Sequence, residues 1–159
     1  MALSKKSLFV IVPLVLFALI ASFSALKKVS PLGAFWWGSV NIENNIAVHG
    51  YDPVSYFSGA AQEGSAEHSF TYKNITYHFS TDKNLNTFRQ SPSEFIPQFG
   101  AFCAFAAGKG FTADTDPQAW TIIDKNLYLF ADNDVKKEWL DGLATGTKET
   151  SHRNWAEAI

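Results

Sequence analysis

His68-Ser69-Phe70-Thr71-Tyr72-Lys73-Asn74-Ile75-Thr76-Tyr77-His78-Phe79-Ser80 reads as two strands folded on a turn. In the second arm Ile75, Tyr77 and Phe79 alternate with Thr76, His78 and Ser80; in the first, Phe70 and Tyr72 alternate with Ser69 and Thr71, and Lys73-Asn74 turns the chain. A period of two sends Tyr77 and His78 to opposite faces. The same pattern recurs downstream, where Trp120 to Ile123 and Leu127 to Phe130 flank Asp124-Lys125-Asn126.

Helices are expected around the two hairpins. Ser80 or Thr81 caps one that runs to about Gln90 with Leu85 and Phe88 inward, and Pro92 stops it. Phe95, Ile96 and Phe99 carry the apolar face on across a second short helix, broken by Pro97. Asp132 or Asn133 caps a third, in which Val135, Trp139 and Leu143 fall four apart. Residues after Gly146 are polar apart from Trp155, which is expected to dock one last helical turn. The expected fold is α+β: a small antiparallel sheet of two hairpins with short helices packed on it, spanning residues 40–159.

Upstream, Ile42, Ile46 and Val48 suggest a short strand around an Asn44-Asn45 turn. Asp52 before Pro53 caps a short helix whose Val54 and Phe57 share a face. That cap accounts for Asp52 better than a role as catalytic base. Asn74-Ile75-Thr76 matches a glycosylation acceptor, although a turn asparagine explains it equally.

The first residues differ in kind. Lys5 and Lys6 precede an apolar run from Leu8 to Leu26, closed by Lys27 and Lys28. As a helix that run is about 28 Å long, close to the hydrocarbon thickness of a bilayer. Residues 1–28 are therefore expected to be a signal anchor or transmembrane helix, with a cleaved signal peptide as the second reading. A short amino terminus left in the cytoplasm puts the domain outside: extracytoplasmic, periplasmic in a bacterium, or secreted if the leader is cut. Residues 29–39 are expected to be a linker in which Phe35, Trp36 and Trp37 meet either the bilayer interface or the domain.

Composition narrows the function. The 159 residues carry a net charge of −2 with acids and bases mixed, so the basic stripe of a nucleic-acid binder is missing. One cysteine cannot close a disulfide within the chain. Cys103 lies in Phe99-Gly100-Ala101-Phe102-Cys103-Ala104-Phe105-Ala106-Ala107-Gly108-Lys109-Gly110-Phe111, where small residues let other backbone come close. Free cysteine packs as a small hydrophobe, so the thiol is either an inert core atom or a placed ligand.

The residues resemble the YHS-domain family, in its long, exported, stand-alone branch. The likeness rests on His49-Gly50-Tyr51-Asp52-Pro53-Val54, Tyr77-His78-Phe79-Ser80, Ser91-Pro92-Ser93-Glu94-Phe95, Gly100-Ala101-Phe102-Cys103-Ala104 and Ala119-Trp120-Thr121-Ile122, and spans roughly residues 47–139. Short YHS modules carry metal-holding cysteines where this chain has Ser55, Ser80 and Asn84 or nearby polar residues, so the resemblance does not transfer their metal. In the long branch it implies that Cys103 matches a position where some members carry selenium, which points to redox or soft-metal chemistry.

A soft-metal site built from Cys103, His49 and His78, holding copper or haem, is the first functional expectation. Zinc fits less well, because four protein ligands cannot be named. The second expectation is a thiol oxidoreductase using Cys103, with a helix starting at Gly100-Ala101 and Lys109 nearby to lower its pKa; lacking a resolving cysteine, it would need an external thiol. The third is a membrane-tethered interaction domain without chemistry, its protein partner unspecified. His68 and His152 are expected to be ordinary surface histidines.

Overall fold

The computed structural model describes residues 5–159, with side chains from Ile11 onward. Of the expected leader, residues 1–4 and the side chains of Lys5 and Lys6 lie outside the described residues. Helix α1 runs from Lys5 to Leu26, and its large apolar side chains from Ile11 to Leu26 are exposed on every side of the helix. Among the described residues no helix is long and apolar enough to cross a membrane.

The rest of the chain is α+β, as expected, but its strands form three small sheets. Strands β2 (Ile42–Glu43), β3 (Ile46–Ala47), β4 (Ser65–Tyr72) and β5 (Ile75–Phe79) lie in the order β2-β3-β5-β4. Strands β7 (Asp116–Ile123) and β8 (Asn126–Phe130) form a separate hairpin. The third sheet pairs β1 (Ser30–Pro31) with β6 (Phe111–Thr112). Each hairpin turns through two residues of positive φ: Asn44-Asn45, Lys73-Asn74 and Asp124-Lys125. This is the turn whose twist matches paired strands.

The expectation of a single antiparallel sheet is corrected in two respects. Ile46 of β3 lies parallel to Thr76 of β5, and the two long hairpins belong to separate sheets that share a core instead of one sheet. Each long hairpin contributes apolar side chains, and a shared core buries both sets at once. Tyr77 and Phe79 of β5 share one core with Leu127 and Leu129 of β8, closed by Val54, Tyr56, Leu85 and Phe88. Alternate residues of β8, Tyr128 and Phe130, enter a second core with Phe99, Cys103, Ala119 and Trp139.

Caps set the helices. Thr81 Oγ1 accepts from the Asn84 amide and starts α2 (Asp82–Gln90), while Asp132 accepts from the Asp134 and Val135 amides and starts α5 (Asn133–Asp141). Helix α3 (Pro92–Phe95) leads to a turn and then α4 (Ala104–Gly108). The carboxy terminus is a twelve-residue helix, α6 (Thr147–Ala158), where one turn was expected. Apart from Trp155 its inward residues are polar, so it shows no hydrophobic period. Ser151 Oγ donates to Ala104 O at 3.0 Å, and Asn154 Nδ2 donates to Ala107 O and Gly108 O.

Residues 29–39 are not a free linker. Ser30 is buried and paired with Thr112, Leu32 N donates to Gly110 O at 2.9 Å, and the Phe35 ring meets Trp155 edge-on at 5.4 Å. The folded unit therefore begins directly after α1.

Candidate functional site

Two left-handed turns frame the site. Val48, His49 and Gly50 have φ of 53°, 51° and 82°, and Phe99, Gly100 and Ala101 have 56°, 59° and 64°. Each is closed by a backbone bond, from Tyr51 N to Val48 O and from Phe102 N to Phe99 O. A non-glycine residue in this region costs about 1–2 kcal/mol, so the surroundings must hold it there. Gly100 is required twice over: its φ is positive, and a Cβ would stand 2.2 Å from Ser39 O.

Asn41, Asp114 and Thr115 bridge the turns. Asn41 N donates to Gly100 O at 2.7 Å, and Thr115 Oγ1 donates to Ala101 O at 3.2 Å. Asp114 Oδ1 accepts from Asn41 Nδ2 at 2.8 Å and lies 2.9 Å from His49 Nε2. Lys28, from the end of α1, donates to Asn41 Oδ1 at 2.7 Å and sits 3.8 Å from Asp114. The His49 pKa is raised above 6.5, because the hydrogen bond to Asp114 outweighs the lowering by burial. Burial works to raise the Asp114 carboxyl, but the hydrogen bonds from His49 and Asn41 and the His49 charge overcome it and hold the carboxyl well below its usual range. His49 is thus tied to a carboxylate and favoured as the cation, whereas a metal takes neutral imidazole.

His49 and His78 do line one open cleft of about 310 Å³, together with Glu43, Tyr51, Glu63 and Gly64. Gly64 makes room for the second wall: a Cβ there would lie 2.5 Å from the His78 carbonyl carbon. Cys103 does not line this cleft. It is 1% exposed in the second core, and its amide donates to Ala113 O at 3.0 Å. Burial pushes its thiol pKa up, against the backbone hydrogen bonds of Ala106, Ala131 and Phe105. Helix α4 starts after Cys103, not before it, and Lys109 Nζ stacks over the Phe105 ring at 5.0 Å. Among the described residues no group of three or more His, Cys, Asp or Glu is placed to hold a metal ion. The expected ligands are not brought together: His49 and His78 share the cleft, and Cys103 lies apart from it in the second core.

Ser55, Ser80 and Asn84 converge around a carboxylate. Asp52 is fully buried; its Oδ1 accepts from the Val54 and Ser55 amides at 2.9 and 3.3 Å. Its Oδ2 accepts from Ser80 N at 2.9 Å, Ser80 Oγ at 2.7 Å and Asn84 Nδ2 at 2.6 Å. The cap expected at Asp52 is present, and the same side chain also ties β5 and α2 to the turn. Of the other histidines, His68 sits 3.1 Å from Asp82 on the surface. His152 is half-buried against Phe99 and 2.9 Å from the Tyr128 hydroxyl, which corrects its assignment as a surface residue.

No family model, curated protein or solved structure matches the chain. The likeness to YHS domains rests on the quoted residues alone.

Sequence reasoning did not single out Lys28, Asn41, Asp114 or Thr115. Asp114 and Thr115 sit in a loop legible only as polar. No local pattern pairs that loop with a histidine 65 positions earlier.

Proposed function

We propose that this chain is a membrane-anchored, extracytoplasmic domain of YHS type that works by non-covalent binding, with Cys103 as a structural core residue. The burial of Cys103 carries the reading. A reactive thiol needs access and a lowered pKa, and a thiolate ligand needs convergent partners; Cys103 has neither. The apolar run from Leu8 to Leu26 is the anchor, and it places the domain in the periplasm if the cell is bacterial. The polar clamp from Lys28 to His49 supports a domain held close to the bilayer instead of one swinging on a tether. The surface it offers is the cleft of His49, His78, Tyr51, Glu43 and Glu63, which suits a polar or cationic group of a partner protein.

Metal analysis and thiol titration of the full chain in mild detergent test this reading. Wild type and Cys103→Ala are expected to hold equal, near-zero copper and haem, and Cys103 to react with a thiol reagent only after denaturation. Stoichiometric copper or haem lost in Cys103→Ala, or rapid labelling of the native thiol, would restore the metal or the oxidoreductase reading respectively.

A further inference from the structure

We propose that the loop 34–38 is a foot for the lipid headgroup layer: Trp36 and Trp37 enter the leaflet surface from which α1 emerges and fix the tilt of the domain. The proposal rests on the reading of α1 as a membrane anchor. The way α1 ends puts the foot at the right depth. Lys28 is left-handed, with φ 49°, and the Val29 amide donates to Ser24 O at 2.9 Å while the Lys28 amide donates to Ala25 O at 3.4 Å. This pair of bonds caps a helix by folding the chain back along its own last turn. Ser24 Oγ also donates to Val29 O. Val29 consequently lies beside Ser24 and not beyond the helix end.

Trp37 is attached at that level, its Nε1 donating to Val29 O at 3.3 Å. One helical turn rises about 5.4 Å. The headgroup zone on each side of a bilayer is about 5–8 Å thick, the difference between the total and hydrocarbon thicknesses shared between two leaflets. An indole held beside the last turn of a spanning helix falls within it, in the layer that amphipathic rings prefer.

The loop is built to present these rings. Ala34 N donates to Pro31 O and Gly38 N to Phe35 O, so the turn is fixed, and Phe35 spends its ring on Trp155. Its two neighbours remain open, Trp36 at 63% and Trp37 at 38% exposure. Phe111, opposite Pro31 in the register, adds a third exposed ring at 45%. Elsewhere around the end of α1, Phe23 and Leu26 share a cavity of about 430 Å³ with Asp114, Asp116 and Asp132. Lys27, exposed at the same end of α1, is attracted by anionic headgroups.

The test uses the full chain reconstituted into phosphatidylcholine–phosphatidylglycerol vesicles. Emission of wild type minus that of Trp36→Phe/Trp37→Phe gives the pair's share. It is expected to be blue-shifted, quenched by lipids brominated near the carbonyls and shielded from aqueous acrylamide. As an independent readout, Phe111→Cys is labelled with an environment-sensitive dye, which the sealed Cys103 leaves to position 111; a blue shift on reconstitution is expected. A pair that stays red and acrylamide-accessible in protein that resists alkaline carbonate extraction would overturn the foot and leave the anchor standing. Release by carbonate would overturn the anchor and the foot with it.

Discussion

Asp52→Asn is nearly isosteric, yet it strikes the most heavily bonded side chain in the domain. The carboxylate accepts five hydrogen bonds, from Val54 N, Ser55 N, Ser80 N, Ser80 Oγ and Asn84 Nδ2. An amide offers one acceptor oxygen and one donor group. With its oxygen toward Val54 and Ser55, its NH₂ faces three former donors. The Ser80 hydroxyl can rotate and the Asn84 amide can flip, but the Ser80 backbone N–H cannot change its role. One orphaned buried donor costs about 1–3 kcal/mol, and bonds to a charged acceptor exceed neutral ones by a similar margin, so the loss is about 2–4 kcal/mol. At roughly 3–5 °C per kcal/mol for a domain of this size, melting falls by about 10 °C. Urea unfolding of the full chain in mild detergent, followed by tryptophan fluorescence, measures it. Asp52→Asn/Asn84→Asp reverses the polarity of one contact and is expected to recover part of the loss. A change within about 0.5 kcal/mol, the usual range for an innocuous surface substitution, would refute the account of Asp52 as the tie between three elements.

The remaining predictions concern the two left-handed turns. His49 has a raised pKa, so its contribution is complete below pH 6.5 and is lost as pH rises through the higher folded value; Asp114 has a lowered one, so its contribution is complete above 3.8 and is lost as pH falls. The pair therefore stabilises most between about pH 4 and 6.5. Burial lowers the His152 pKa and works in the opposite sense on the acid side, so the informative quantity is the difference between wild type and His49→Gln. That difference in melting temperature is expected to be larger at pH 5.5 than at pH 9. Gly100→Ala places a Cβ against Ser39 O at a left-handed position, and a loss of about 2–4 kcal/mol in urea midpoint analysis is expected.

Where structure follows from adjacent residues, the chain could be read directly. Alternation gave β5 and β8, Asn44-Asn45, Lys73-Asn74 and Asp124-Lys125 marked the turns of the three hairpins, and Thr81 and Asp132 capped their helices. What depends on distant partners could not be read this way. Nothing in Ile46 announces a parallel partner at Thr76, and nothing in Ser30 announces Thr112. Helix α6 escaped because its buried contacts are made by Ser151 and Asn154, which look like surface residues. At the candidate site His49 stood out because strand alternation left it unexplained, but its partner did not. Cys103 was visible as a thiol among small residues. Whether those residues opened it to solvent or closed over it depended on β8 and α5, neither of which is local to it.

Strand β8 has a consequence of its own. Leu127 and Leu129 belong to one core and Tyr128 and Phe130 to the other, so four consecutive residues form a party wall between two rooms. A slip of one position would push the Tyr128 and Phe130 rings into space filled by Leu127 and Leu129, overfilling one chamber and leaving the other short. The halves are therefore bound to melt together, and the amides of this short strand should be the last in the molecule to exchange with solvent.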